Sequence, residues 1–161
     1  MHIAEGVLSA PVLITGAVVA AGAVAYGLKK LDPRQVMMAA ILGAAFFVAS
    51  LIHIPVGPSS VHLLLNGLLG VLLGWSAVPV IFVGLLLQAI LYGFGGLTVL
   101  GVNTATMGLG AVLSWYIFGG LLSVLKPLGA KKAAAVSGFV SGACGVAIAA
   151  VLTALAPAFT D

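Results

Sequence analysis

The first two residues of the sequence carry the groups best suited to bind a metal ion. Met1 and His2 together offer a free α-amine, the amide that joins them and an imidazole, three nitrogen donors on adjacent residues. These donors can close two fused chelate rings on one ion, and tetragonal arrangements of nitrogen donors are typical of Cu(II) and Ni(II). An amide nitrogen binds only after losing its proton, so such a site releases protons and weakens on acidification. The fourth position in the plane must be filled from elsewhere in the chain.

Two further histidines, His53 and His62, could supply that fourth nitrogen. His62 follows Ser59 and Ser60, which we predict to cap a helix that begins at His62. Asn66 comes one helical turn later on the same face, where its side chain could orient the imidazole.

Each histidine also has an interpretation that needs no metal. His2 is explained as a frayed polar residue at a chain end, and His62 as a helix cap or an interface residue. His53, between two isoleucines at the end of an apolar run, is explained as an interfacial histidine. Ionisable residues at membrane-embedded positions are nevertheless functional candidates.

Three other polar residues stand in apolar surroundings or beside the candidate ligands. Glu5 either pairs with a local backbone amide or neutralises a metal site. Gln88 and Asn103 are explained equally well by packing hydrogen bonds and by a role at a site.

The composition predicts an integral membrane protein. Hydrophobic residues make up 63% of the 161 residues, charged residues 6%, and the mean hydropathy is +1.33. A soluble domain needs more polar cover than this, so we expect an all-α polytopic helical bundle forming a single domain over residues 1–161. The six cations fall in two loop clusters, which excludes a nucleic-acid surface, and the lone Cys144 excludes an intramolecular disulfide.

The elements that must position these groups are about six transmembrane helices. Apolar spans are predicted at residues 8–28, 35–52, 62–74, 78–92, 104–125 and 133–156. The third is short for a span and is expected to be tilted, buried or partly re-entrant. Residues 53–60 are too rich in Pro and Gly to continue a helix, and residues 93–103 form an irregular Gly-rich connection. Small residues four apart, such as Gly70 and Gly74, indicate close helix packing.

The basic residues predict the orientation. Three follow the first span and three follow the fifth, namely Lys29, Lys30, Arg34, Lys126, Lys131 and Lys132. Both loops are odd-numbered, so the positive-inside rule makes them cytoplasmic. The N-terminus and all three histidines are then external. They stay on that side if residues 61–92 form a hairpin instead of two full spans. The N-terminus is not expected to be a cleaved signal, because the basic cluster follows the first apolar run.

Two stretches, MHIAEGVLS at residues 1–9 and PSSVHLL at 58–64, resemble the CbiM/NikM family. LQAIL at 87–91 and GGLTVLGVN at 95–103 are also similar to that family's central region. The resemblance implies the substrate-binding component of an energy-coupling-factor importer for Co²⁺ or Ni²⁺ in a prokaryotic cell (inner) membrane. It further implies that the N-terminal loop folds into the bundle and that Met1, His2 and His62 bind the ion.

Around these implied ligands, Glu5, Ser60, Asn66 and Asn103 are the candidates for supporting residues. The implied partners are a transmembrane coupling subunit, ATPase subunits and a small accessory membrane protein. A Walker-type loop is absent from the sequence, so ATP hydrolysis is expected from the partners and the chain itself is not expected to be an enzyme.

Two alternatives and two departures from the family remain. An intramembrane metalloenzyme needs an open coordination position and a general base, but H-E-x-x-H is absent and Glu5 is the carboxylate nearest the candidate ligands. A structural membrane subunit would carry its histidines incidentally.

Family members commonly have a histidine where this chain has Phe94, so any role of that histidine does not transfer. Many also have a further C-terminal membrane segment, so we expect this chain to be a short or truncated variant.

Overall fold

The computed structural model describes residues 3–56, 59–62 and 64–160, with residues 53–56 and 59–62 placed by their main chain. Within these ranges the chain forms six α-helices, which are α1 (Ala10–Lys30), α2 (Val36–Leu51), α3 (Asn66–Leu73), α4 (Ala77–Tyr92), α5 (Leu100–Val124) and α6 (Ala130–Leu155). A short antiparallel ribbon, β1 (His53–Val56) and β2 (Ser59–His62), lies between α2 and α3. The predicted all-α membrane bundle is confirmed, with this ribbon added.

Five helical stretches of the described chain are long and apolar enough to cross a membrane. They are Ala10–Lys30, Pro33–Leu51, Asn66–Tyr92, Leu100–Val124 and Ala130–Phe159. The third combines α3 with α4. The α3 helix has eight residues and is therefore about 12 Å long, well short of a bilayer core of about 30 Å. The expected number of about six spanning helices is thus not confirmed, although each predicted span contains a helix.

α3 and α4 form a hairpin that folds back at Gly74, where φ is +57°. At the start of α3, Asn66 lies against Gly110 of α5, and beyond its end Gly74 lies against the ring of Trp115. The first turn of α4 contacts Gly108, which is nearer the start of α5. α3 therefore runs parallel to α5, and α4 returns in the opposite direction.

α1 and α5 also run parallel to each other. Gly16 of α1 packs against Val102 near the start of α5. Further along both helices, Tyr26 packs its ring on Trp75, and the indole of Trp75 donates a hydrogen bond to the hydroxyl of Tyr116. The ends of α1 and α5 therefore lie together, and with them all the basic residues, which are Lys29, Lys30, Arg34, Lys126, Lys131 and Lys132. We call this the basic end, and the opposite end, where α1 and α5 begin, the N-terminal end.

The ribbon replaces the helix start that we predicted at His62. Its register pairs His53 with His62 and Pro55 with Ser60, and α3 begins only at Asn66. The two serines of β2 therefore do not cap a helix, and Asn66 does not lie one helical turn after His62. Both predictions are wrong.

The composition of the ribbon explains why it is extended. Pro55 disfavours the helical region for Ile54, the residue before it. Ile54, Val56 and Val61 are β-branched and favour extended backbone. The apolar pattern of residues 62–65 fits a helix and a strand equally, which is the usual ambiguity of short apolar runs.

The connection between α4 and α5 is shorter than predicted. α5 begins at Leu100, and the main-chain amide of Asn103 already donates to the carbonyl of Val99 at 3.0 Å. Asn103 is thus part of the first turn of a helix and not of an irregular connection. The irregular part keeps the glycines with positive φ, which are Gly93, Gly95 and Gly96.

The tightest helix packing joins α3, α5 and α6. A Cβ added to Gly110 would lie 2.5 Å from the carbonyl oxygen of Gly145, and one added to Gly145 would lie 2.8 Å from the carbonyl oxygen of Gly110. A Cβ on Gly67 or Gly70 would overlap the main chain of α6 or α5, respectively. α6 contributes a buried stripe of small residues four apart, which are Ala133, Ser137, Ser141, Gly145, Ala149 and Thr153.

Replacing Gly70 with Ala is expected to destabilise the protein. The added methyl group would overlap the carbonyl oxygen of Ala111 and the hydroxyl of Ser114, and overpacking of this kind costs about 1–3 kcal/mol. The melting temperature of the purified protein in detergent should fall. Gly138→Ala in α6 is the matched control, because its Cβ would meet no atom within 4 Å. Equal melting temperatures for the two variants would contradict the close α3–α5 contact.

Candidate metal-binding site

The N-terminal segment is packed into the N-terminal end of the bundle. Ile3 is 5% exposed and Leu8 is 8% exposed, and both belong to an apolar cluster with Val99, Val102 and Ala156. Residues 4–7 between them are exposed. The segment therefore crosses the surface with both ends buried, and we call residues 3–8 the strap.

Asn103 binds both main-chain polar groups of Ile3, its N–H and its C=O. The amide N–H of Ile3 donates to Oδ1 of Asn103 at 3.1 Å, and Nδ2 of Asn103 donates to the carbonyl oxygen of Ile3 at 3.4 Å. Asn103 is 3% exposed, so these bonds are shielded from water. They fix the residue directly after Met1 and His2, which themselves lie outside the described residues.

Glu5 makes a second attachment, to the Gly-rich connection. Its Oε1 accepts hydrogen bonds from the main-chain amide of Thr98 at 3.2 Å and from the Thr98 hydroxyl at 3.1 Å. Gly96 makes room for this contact, because a Cβ there would overlap the Glu5 side chain, and its φ of +102° also favours glycine. The carboxylate does bind a backbone amide, but one distant in sequence and not a local one. A role for Glu5 in neutralising a metal stays a prediction.

The ribbon carries the other two histidines. Residues 53 and 62 are directly paired in its register, at the ends of the strands that adjoin α2 and α3. Ser60 lies two residues before His62 in β2 and is paired with Pro55. The main chain thus brings His53 and His62 together, a pairing that the sequence did not predict. The roles of His62 and Ser60 stay predictions.

Asn66 is a fully buried amide at the first position of α3. Its Nδ2 donates to the carbonyl oxygen of Gly145 in α6 at 3.4 Å. Its Oδ1 has no hydrogen-bond partner in the part of the chain that the structure describes. Because buried polar atoms are normally paired, this oxygen is an acceptor suited to a nearby donor.

A second buried amide, Gln88, lies between α2 and α4. Its Nε2 donates to the hydroxyl of Ser50, and both residues are fully buried. Sequence reasoning singled out Gln88 but missed Ser50 and Thr98. Ser50 could have been found as a hydroxyl in an apolar run, three residues before His53; nothing in the sequence distinguishes Thr98.

The described side chains hold no group of three or more His, Cys, Asp or Glu residues that could bind a metal. Met1 and His2 fall outside these ranges, and His53 and His62 are placed by their main chain. The structure therefore brings Asn103 together with the strap, which begins at the residue directly after His2. The predicted ligand set stays a prediction.

Comparison with known proteins identifies the family. The family model described as "Cobalt uptake substrate-specific transmembrane region", CbiM, matches residues 2–161. The chain belongs to the CbiM family. A Haemophilus influenzae protein named for metal transport is 45% identical over 94% of this chain and 72% of its own length.

Relatives named for both metals are similar to this CbiM chain. The cobalt transport protein CbiM 1 of Pelobacter propionicus is 42% identical over 68% of this chain and 52% of its own length. The fused nickel transport protein NikMN of Rhodobacter capsulatus is 38% identical over 66% of this chain and 33% of its own length. The matched part of the chain thus covers from about a third to nearly three quarters of the length of these three relatives.

Two solved structures have the same fold. A truncated transition metal transporter superposes with a TM-score of 0.69 at 26% identity, covering 96% of this chain and 75% of the other. A transition metal transporter superposes with a TM-score of 0.67 at 25% identity, covering 96% and 70%. The predicted CbiM/NikM resemblance is confirmed, and the chain is a multi-pass membrane component of a cobalt and nickel transport family.

Proposed function

We propose that this CbiM chain captures Ni²⁺ or Co²⁺ for an ATP-driven importer of the energy-coupling-factor type. Four nitrogens bind the ion: the Met1 amine, the His2 amide, the His2 imidazole and the His62 imidazole. The observation that carries the proposal is the pair of buried hydrogen bonds between Asn103 and the main chain of Ile3. They hold the chain within the bundle directly beside the two residues that carry three of the four donors.

The distances along α5 support a common site. Asn103 bonds Ile3, and Gly110, against which Asn66 lies, is two turns further along the same helix. Two helical turns correspond to about 11 Å. His2 is joined directly to Ile3 and Met1 to His2, and His62 precedes Asn66 by four residues. Because an extended residue reaches about 3.5 Å, both connections are long enough to meet between these two levels.

The supporting residues have separate proposed roles. Asn66 offers the unpaired Oδ1 as an acceptor for the ring N–H of His62, an arrangement that fixes the tautomer of a metal-bound histidine. Asn103 fixes the strap, and Glu5 places a negative charge near the ion. Ser60, two residues before His62, is proposed to support that metal-binding histidine.

The donor set suits Ni²⁺ better than Co²⁺. Four nitrogens in a plane favour Ni²⁺, which also has the higher intrinsic affinity of the two ions. Relatives bear the names of both metals, so both ions are proposed substrates.

The direction of transport follows from the charges. All Lys and Arg residues lie at the basic end, which is the cytoplasmic side by the positive-inside rule. The N-terminal end then faces outward and receives the ion. Energy for release to the inside comes from ATPase subunits through a transmembrane coupling subunit, with a small accessory membrane protein as a further partner.

Metal analysis of the purified chain with its native N-terminus tests this function. We expect one Ni²⁺ or Co²⁺ per chain, with release of protons on binding and weaker binding as the pH falls, because the His2 amide must be deprotonated. Mg²⁺, which prefers oxygen ligands, is the control and should not compete. A chain that binds neither transition metal would contradict the proposal and favour a structural subunit.

A further inference from the structure

The strap has two attachments that differ in their exposure to water. At Ile3 the bonds to Asn103 are buried, whereas the bonds from Thr98 to Glu5 are exposed. Leu8 anchors the other end of the strap in the apolar cluster. The Glu5–Thr98 contact therefore holds the exposed middle of the strap, between two buried ends.

The Gly-rich connection is shaped to receive Glu5. Gly96 leaves the space that the carboxylate occupies, and two residues later both donors of Thr98, its amide and its hydroxyl, bond the same carboxylate oxygen. Thr98 is followed by Val99, which is fully buried in the cluster that also contains Ile3. The carboxylate is thus held by a connection that is itself fixed to the core.

Exposed hydrogen bonds to a carboxylate, such as those from Thr98 to Glu5, open easily, because water replaces the protein donors at little cost. The buried bonds at Ile3 are harder to break, since an unpaired buried amide is costly. The strap should therefore open from Glu5 first and leave Asn103 last.

We propose that Thr98 is a positioning residue whose bonds to Glu5 latch the strap over the bound ion and so control the rate of ion exchange. This inference rests on the proposed function, since the strap carries the N-terminal ligands. Asn103 determines where the ligands lie, and the Glu5–Thr98 latch determines how long they stay there. A transported ion must be released, so an attachment that opens readily in water suits this position.

Thr98→Val tests the latch without changing any charge or the main-chain donor. In the metal-free protein, hydrogen exchange of the N-terminal peptide that starts at Met1 reports the amides from Ile3 onward. We expect exchange in residues 3–8 to be about three- to tenfold faster than in the wild type, the effect of losing one hydrogen bond. Release of Ni²⁺ to an excess of chelator should accelerate by the same factor.

Thr98→Ser, which keeps the hydroxyl, should restore both rates and serves as the matched control. Exchange in α6 of Thr98→Val should accelerate by no more than the factor expected for the strap, and the melting temperature should fall by no more than a few degrees. A larger change in either would indicate general destabilisation instead of a local latch. Unchanged strap exchange in Thr98→Val would overturn the latch, and faster exchange with unchanged metal release would overturn its control of the ion. Since hydrogen exchange is measured without metal, a failure of the proposed function leaves the latch itself testable.

Discussion

An extension of several residues before Met1 is expected to abolish tight metal binding, whereas a single added residue would place His2 third in the chain and supply a new set of four nitrogens. The extension turns the α-amine into an amide and removes one chelate ring from the proposed site. Loss of a direct ligand should exceed the roughly 10–100-fold effect of losing an outer supporting residue, so we expect affinity for Ni²⁺ to fall by more than about 100-fold. The extension must also fit beside Ile3, which is 5% exposed.

A cleavable extension provides the control within one preparation. The chain is purified with a leader that a protease removes directly before Met1, and Ni²⁺ titrations are compared before and after cleavage. Binding should appear only after cleavage. If the uncleaved protein binds as tightly, the amine is not a ligand and the proposed coordination is wrong.

His62→Ala is expected to have an effect of similar size. Three nitrogens would remain, and the fourth planar position would pass to water or to a weaker ligand. Titration with Ni²⁺ should show a loss of more than about 100-fold, and metal uptake by cells that carry the complete transporter should fall to background.

His53→Ala is the matched control, because position 53 is paired with position 62 in the same ribbon. A general disturbance of the ribbon should affect both variants, whereas loss of a ligand should affect His62→Ala alone. Equal losses in the two variants would mean that the ribbon as a whole matters and would remove the distinction between the histidines. Full uptake by His62→Ala would instead favour a structural role for this chain.

Most of the fold could be predicted because apolar runs of membrane length have few alternatives. The boundaries of α1 and α2 differ by only one or two residues from those predicted. The largest difference is in the stretch from 53 to 65, where short apolar runs fit both a strand and a helix. The tertiary structure decides there: Gly67 and Gly70 pack α3 against α6 and α5, and Gly74, with a φ of +57°, ends the helix.

The contacts of the strap could not be predicted from the sequence. Glu5 and Asn103 were candidates from their chemistry, yet their partners are 93 and 100 residues away in sequence. A side chain that bonds a distant main chain leaves no pattern in the sequence. Thr98 was missed for this reason, since its contact with Glu5 forms where Gly96 leaves room for the carboxylate.

The bonds between Asn103 and Ile3 involve main-chain atoms of the strap alone. Asn103 therefore binds the N–H and the C=O of one residue, two groups that every residue type except proline can present. These bonds do not involve the side chains of Met1 and His2, so substitutions at those two positions should leave this attachment of the strap unchanged. The two proposed N-terminal ligands can therefore be varied separately from the attachment that holds the strap, while the proposed ligand His62 belongs to the ribbon.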